Sequence, residues 1–171
     1  SGEIALVVAS RSDAYALTRA ADRGIPSEVV RRKDFEDQAA YEDALASLMR
    51  ENKIDLIVLA GFMSILSKAF TDRFPQRMIN IHPSLIPSFC GKGFYGIHVH
   101  EAALRYGVKV SGATVHFVNE IPDGGQIIRQ KAVPVLPGDT PESLQKRVME
   151  EAEWILLPAA VQKVCADMRQ K

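Results

Sequence analysis

Three stretches of this chain carry residue types able to do chemistry. The first is Asn80-Ile81-His82-Pro83-Ser84-Leu85, taken together with Asp123. Asn80 and His82 stand two apart at the end of an apolar run, so on a strand both side chains point to the same side. In a parallel α/β sheet, ligands bind beyond the carboxyl ends of the strands. An amide donor beside a titratable imidazole suits a reaction in which an oxyanion forms and a proton moves: the amide binds the oxyanion and the imidazole protonates it. Asp123, in the turn Pro122-Asp123-Gly124-Gly125, can approach His82 and favour its imidazolium form. For residues taken singly the plainer alternative is favoured, with His82 a structural histidine bonded to the loop and Asp123 a turn residue.

The second stretch, Gly91-Lys92-Gly93-Phe94-Tyr95-Gly96, matches G-x-G-x-x-G as a string. A dinucleotide fingerprint works only as the tight turn directly between a strand and a helix. Here a Pro/Ser-rich loop intervenes after Ile81, and no acidic partner closes the next strand, so the string reads as a flexible loop and no nicotinamide site is expected. The third stretch is His98-Val99-His100. Two histidines two apart on a helix point about 200° apart and cannot share one metal. One partly exposed and one packed or capping histidine is the expected outcome, with no metal.

The surrounding elements follow from periodicity. Residues 4–9 and 54–60 are short apolar runs that read as strands, the second covered on both faces, and 28–30 is a weak strand. Helices are expected after Asp13, behind a polar cap, and again between Phe35 and Asn52, over 67–74 and over 97–106. A strand over 78–81 runs into a long loop, 83–96, and long loops inside compact domains are more often functional than accidental. Residues 108–118 and 127–135 read as two strands joined by the Asp123 turn. Asp139-Thr140-Pro141-Glu142 is a helix start, and Pro158 should kink or interrupt the long C-terminal helix that follows. Strands alternating with helices make an α/β fold with a mainly parallel sheet, in one domain spanning residues 1–171.

Composition narrows the partners. The chain has 171 residues, with 21 Lys+Arg against 21 Asp+Glu, so no electrostatic footprint for nucleic acid or an acidic membrane is present. No apolar run approaches the roughly 20 residues of a membrane span. Cys90 and Cys165 lie far apart with no metal-ligand spacing, which fits a reducing cytoplasm.

The strings Leu59-Ala60-Gly61-Phe62-Met63, Asn80-Ile81-His82-Pro83-Ser84-Leu85-Ile86-Pro87, His100-Glu101-Ala102-Ala103-Leu104, Thr114-Val115-His116-Phe117-Val118 and Asp123-Gly124-Gly125 follow one another in the chain. Together they closely resemble the phosphoribosylglycinamide formyltransferases, a family of folate-dependent formyltransferases, over essentially the whole chain from Glu3. The resemblance implies a Rossmann-like α/β sheet flanked by helices. It also implies transfer of a formyl group from 10-formyltetrahydrofolate to the amine of glycinamide ribonucleotide in purine biosynthesis, by a cytoplasmic monomer or homodimer. Asn80 would bind the oxyanion, His82 would act as general acid, and Asp123 would stabilise the imidazolium and order a proton-transfer water. The folate would lie in an apolar slot of Met63, Ser64, Ile65 and Leu66, with Leu59 and Phe70 behind. The backbone of Asn119, Glu120, Ile121, Pro122 and Asp123 would read the pteridine edge. Gln38 matches a folate-tail position, and Gly61, Pro83 and Glu153 match positions near the ribonucleotide. For Leu59, Ile65 and Phe70 ordinary core packing is the plainer alternative.

The chain departs from the family pattern in three places. Ser64 stands where many members carry an arginine that pairs with the folate glutamate, and Gln38 where some carry a basic residue, so weaker ionic contact with the tail is expected. The segment 90–95 is longer than in better-known bacterial members. The family opens with a strand, a GxGxN loop and a helix that hold the substrate phosphate. The sequence opens Ser1-Gly2-Glu3 without that unit, so an N-terminally incomplete domain that binds the ribonucleotide poorly is expected. Two alternatives accompany this reading: a relative with the same three residues, either a 10-formyltetrahydrofolate hydrolase or a methionyl-tRNA formyltransferase, and a non-catalytic folate- or nucleotide-binding module. The tRNA enzyme would carry a further basic domain, and the intact Asn80, His82 and Asp123 favour chemistry over mere binding.

Overall fold

A computed structural model describes residues 2–170 of the chain. They separate into two compact units, Gly2–Asp55 and a second that begins at Leu56. In the first, β1 (Val7–Ala9) leads through α1 (Tyr15–Ala21) to β2 (Ser27–Val29), which pairs parallel with β1. Parallel pairing follows from a strand-helix-strand crossover. The strand expected over 4–9 contracts to three residues. The polar cap expected for α1 does not form: its N-cap is Ala14, which has no side-chain oxygen to offer. The 3-10 turn Arg32–Asp34 precedes α2 (Gln38–Glu51), where the Asp37 carboxylate accepts from the Ala40 amide at 2.8 Å. Tyr41, Leu45 and Met49 make the buried stripe of α2 at helical spacing.

The second unit holds β3 (Ile57–Leu59), α3 (Lys68–Thr71), β4 (Met78–His82), α4 (Ile97–Tyr106), β5 (Val110–Phe117) and β6 (Ile127–Pro134). Its sheet has the order β3-β4-β5-β6. β3 pairs parallel with β4, and the other two pairings are antiparallel. The α/β class holds, with parallel pairing ahead of β5. The stretch between β5 and β6 is too short for a crossover and so closes a hairpin. β3 keeps only three of the seven apolar-run residues, and Val58 is 38% exposed, so the strand is less covered than its composition suggests.

Thr140 and Ser143 form a reciprocal capping box at the start of α5 (Pro141–Val148), with Pro141 in the first turn. Arg147 clamps Asp139 through two hydrogen bonds of 2.6 and 2.7 Å, which hold that carboxyl well below its ordinary range. The interruption expected at Pro158 takes an unexpected form. Pro158 lies within α6 (Trp154–Arg169), and a π-turn, Met149–Glu153, sits just upstream. Leu144, Val148, Ala152, Leu156, Ala160 and Val164 of this helical stretch pack with Ile79, Ile81, Ala113 and Val115 of the sheet into one core cluster. No helix among the described residues is long and apolar enough to cross a membrane.

Candidate active site

Strand alternation decides which residues meet. Ile79 and Ile81 of β4 and Ala113 and Val115 of β5 face the helical core, so Asn80, His82, Thr114 and His116 turn to the opposite face. The antiparallel register sets Asn80 opposite His116 and His82 opposite Thr114, the separation at which side chains touch across strands. The Asp123 turn closes over this row. Asp123 has a left-handed φ of 55°, and the Gly124 amide donates to the Ile121 carbonyl at 2.9 Å. A Cβ on Gly125 would run into the Phe117 carbonyl, so glycine is required where the turn returns to β6.

The result is a convergent polar cluster. Asp123 Oδ2 lies 3.5 Å from His82 Nδ1 and accepts the Gly91 amide at 2.9 Å. Asp123 Oδ1 lies 3.5 Å from both His116 Nε2 and Asn80 Nδ2, and those two nitrogens are 3.2 Å apart. His82 Nε2 donates to the Phe89 carbonyl at 2.8 Å, and His116 Nδ1 to the Phe117 carbonyl at 2.7 Å. His82 Nε2 thus faces the Phe89 carbonyl and Nδ1 faces the Asp123 carboxylate. With Nε2 held by Phe89, the Nδ1 edge beside Asn80 and Asp123 is the one left to meet a reacting group. Burial alone would raise the pKa of Asp123. Hydrogen bonding from His116 and the Gly91 amide, with the charges of His82 and His116, outweighs burial and keeps the carboxyl below its ordinary value.

Asn80, His82 and Asp123 are thus brought together, and His116 and the Gly91 amide join them. His116 was visible in the string Ala113-Thr114-Val115-His116-Phe117, where alternation puts a histidine on the polar face. The cross-strand register that pairs it with Asn80 was not. Gly91 belongs to the glycine-rich string, and its amide serves the Asp123 carboxylate.

The other expected positions fall differently. Met63 and Ile65 are 74% and 60% exposed, a pair of large apolar side chains open to a ligand, and Ser64 beside them is exposed. Leu66 and Phe70 are buried, Phe70 with its ring tilted against that of Phe74, while Leu59 is half-buried. In the Asp123 loop, Asn119 accepts the Ile121 amide at 3.0 Å, and Glu120, Ile121 and Pro122 are exposed. Gly61 ends β3 with a φ of 66° and Pro83 follows His82 directly. Glu153 lies half-buried in the π-turn, and burial raises its pKa. Gln38 begins α2, bonded to Arg32 and Glu42. His98 is exposed and pairs with Glu101, whereas His100 is fully buried with no hydrogen-bond partner, one exposed and one packed histidine as expected.

A buried imidazole, with an amide and a carboxylate beside it where a strand ends, is a set of groups that can hold a developing oxyanion and supply a proton to it. The formyl transferase model matches residues 1–161. The chain belongs to the formyl transferase family. It is 40% identical to the phosphoribosylglycinamide formyltransferase of Haemophilus influenzae over 159 residues, which is 93% of this chain and 72% of that protein. It is 43% identical to the human trifunctional purine biosynthetic protein adenosine-3 over 97% of this chain, and spans only 16% of that protein. The crystal structure of phosphoribosylglycinamide formyltransferase from Anaplasma phagocytophilum superposes with a TM-score of 0.86 at 40% identity, covering 96% of this chain and 76% of that one.

Proposed function

We propose that this protein transfers a formyl group from 10-formyltetrahydrofolate to the amine of glycinamide ribonucleotide. The observation that carries the reading is the convergence of Asn80, His82, Asp123 and His116 within 3.5 Å on one face of the sheet. The names of the relatives support the acceptor and the formyl group, and the resemblance of the site strings supports the folate donor. The donor would lie against the exposed apolar pair Met63 and Ile65 and the main-chain groups of 119–123, and the exposed Ser64 offers no positive charge to its glutamate tail. Glycinamide ribonucleotide would lie near Gly61, Pro83 and Glu153. A reducing, cytoplasmic setting accords with the two free thiols, Cys90 and Cys165.

In this reading the substrate amine attacks the formyl carbon and the carbonyl π electrons move to oxygen. The Asn80 amide N–H stabilises the oxyanion and His82 delivers the Nδ1 proton to it. Asp123 stays ionised to balance the imidazolium and orders the solvent that takes the proton lost by the amine. As the tetrahedral centre collapses, its hydroxyl proton returns to His82 Nδ1, the C–N10 bond breaks, and the proton lost by the amine passes through solvent to N10 of the folate. His82→Ala should lower kcat by roughly 10²- to 10⁴-fold with the fold retained, the usual share of a general acid. Mass spectrometry of the formylated ribonucleotide, beside circular dichroism of the variant, measures both. Turnover by His82→Ala at the parent rate would sink the acid role. Formate released at the same rate without the amine would point to a hydrolase instead.

A further inference from the structure

The loop that follows His82 touches the site at two main-chain points, the Phe89 carbonyl on His82 and the Gly91 amide on Asp123. Something must hold those points in place, because Phe89 has a left-handed φ of 49° and three glycines follow it. A non-glycine residue in that region persists only where its surroundings over-determine it. The fixing contacts come from two side chains on the hairpin. Thr114 Oγ1, fully buried opposite His82, donates to the Ser84 carbonyl at 2.7 Å and accepts the Ile86 amide at 3.1 Å. The amide of Gln130, on edge strand β6, donates to Thr114 Oγ1 and to the Ile86 carbonyl, each at 3.0 Å. Ser84 Oγ then reaches the Ser88 carbonyl, one residue before Phe89, at 2.5 Å. A continuous chain of hydrogen bonds and backbone thus runs from an exposed glutamine to the ring of His82.

We propose that Gln130 and Thr114 are positioning residues that set the 84–91 loop so that its Phe89 carbonyl orients His82 and its Gly91 amide orients Asp123. The importance of that orientation for turnover rests on the formyl-transfer reading above. Neither residue touches the reacting groups: Thr114 acts on the loop, and Gln130 acts through Thr114 and Ile86. Gln130 is exposed, so replacing it leaves the core intact.

The experiment uses the whole chain and its Gln130→Leu, Thr114→Val and Thr114→Ser variants. In the free protein, amide hydrogen exchange at Gly91 and the ¹⁵N shifts of the His82 ring are recorded by NMR. In parallel, kcat and KM for formyl transfer are measured. In Gln130→Leu and Thr114→Val, Gly91 exchange should accelerate about tenfold or more as the loop loosens. The His82 shifts should move toward those of a solvated ring. Their kcat should fall roughly ten- to a hundredfold, the size of effect that a small misplacement produces, with KM less affected. Thr114→Ser keeps the oxygen and should behave as the parent. Parent-like exchange and shifts in Gln130→Leu would overturn the proposal, as would Thr114→Ser matching Thr114→Val, since packing would then be the role. Faster Gly91 exchange in a protein with no formyl transfer would keep the positioning role and discard the functional reading instead.

Discussion

His100 is a buried imidazole that meets no hydrogen-bond partner among the described residues, and burying a polar group without one is costly. Burial first, and the charge of His82 second, push its pKa down to about 4. In the unfolded chain the same ring titrates near its ordinary value of about 6.5. Between those two values the unfolded state holds the extra proton, so stability falls as pH drops through this window and levels off below it. The loss from this one residue is roughly 3 kcal/mol over the window. Urea unfolding at pH 7 and pH 4.5 should show a smaller drop in His100→Phe than in the parent protein, and equal drops would mean that His100 does not stay neutral. Asp123 works the other way: its depressed pKa contributes stability that is present above the ordinary carboxylate range and lost as acid protonates it.

At the level of elements, the hairpin that joins β5 to β6 is the most exposed to a single change. Gly125→Ala would set a Cβ against the Phe117 carbonyl, so the turn must open and carry Asp123 away from His82. A loss of about 1–3 kcal/mol in stability and a larger proportional loss in kcat should follow. Thermal unfolding and single-turnover rates check the two parts, and an unchanged rate would show that the turn tolerates the shift. Much of this architecture was legible from the residues. The end of β4, α4 and its glycine stop, the hairpin and the Pro141 helix start all lie where local signals are strong. The face carrying Asn80 and His82 followed from alternation alone. What was not legible depended on partners distant in sequence. The start of α1 looked capped because polar residues precede it, yet Ala14 occupies the cap. The contribution of His116 required the β4–β5 register, and the roles of Phe89 and Gly91 are main-chain roles, which side-chain types do not advertise. Leu66 reads as lining the slot and Phe70 as slot backing or core, and both side chains are buried, a packing that depends on neighbours distant in sequence.

For the molecule as a whole, equal numbers of positive and negative groups predict a solubility minimum near pH 7, close to the sequence pI of about 6.9. Polyethylene glycol precipitation across pH 5–9 would measure it, and a minimum two units away would mean that the folded charges differ from the formal ones. The family assignment covers nearly all of the chain, yet the human relative is about six times longer, so this chain matches one part of a larger polypeptide there. The π-turn ahead of α6 also bears on the entire second unit. The buried residues Leu144, Val148, Ala152, Leu156, Ala160 and Val164 recur every fourth position. In a regular α-helix each such step overshoots a full turn by about 40°, so five steps would carry the stripe about 200° around the axis, off the sheet. A turn closed by i to i+5 bonds advances less per residue and takes back part of that rotation. The wide turn therefore acts as a phase correction that keeps one helical rod facing one sheet from end to end. Deleting a single residue within it would close the wide turn to a regular helical one and leave the phase downstream nearly unchanged.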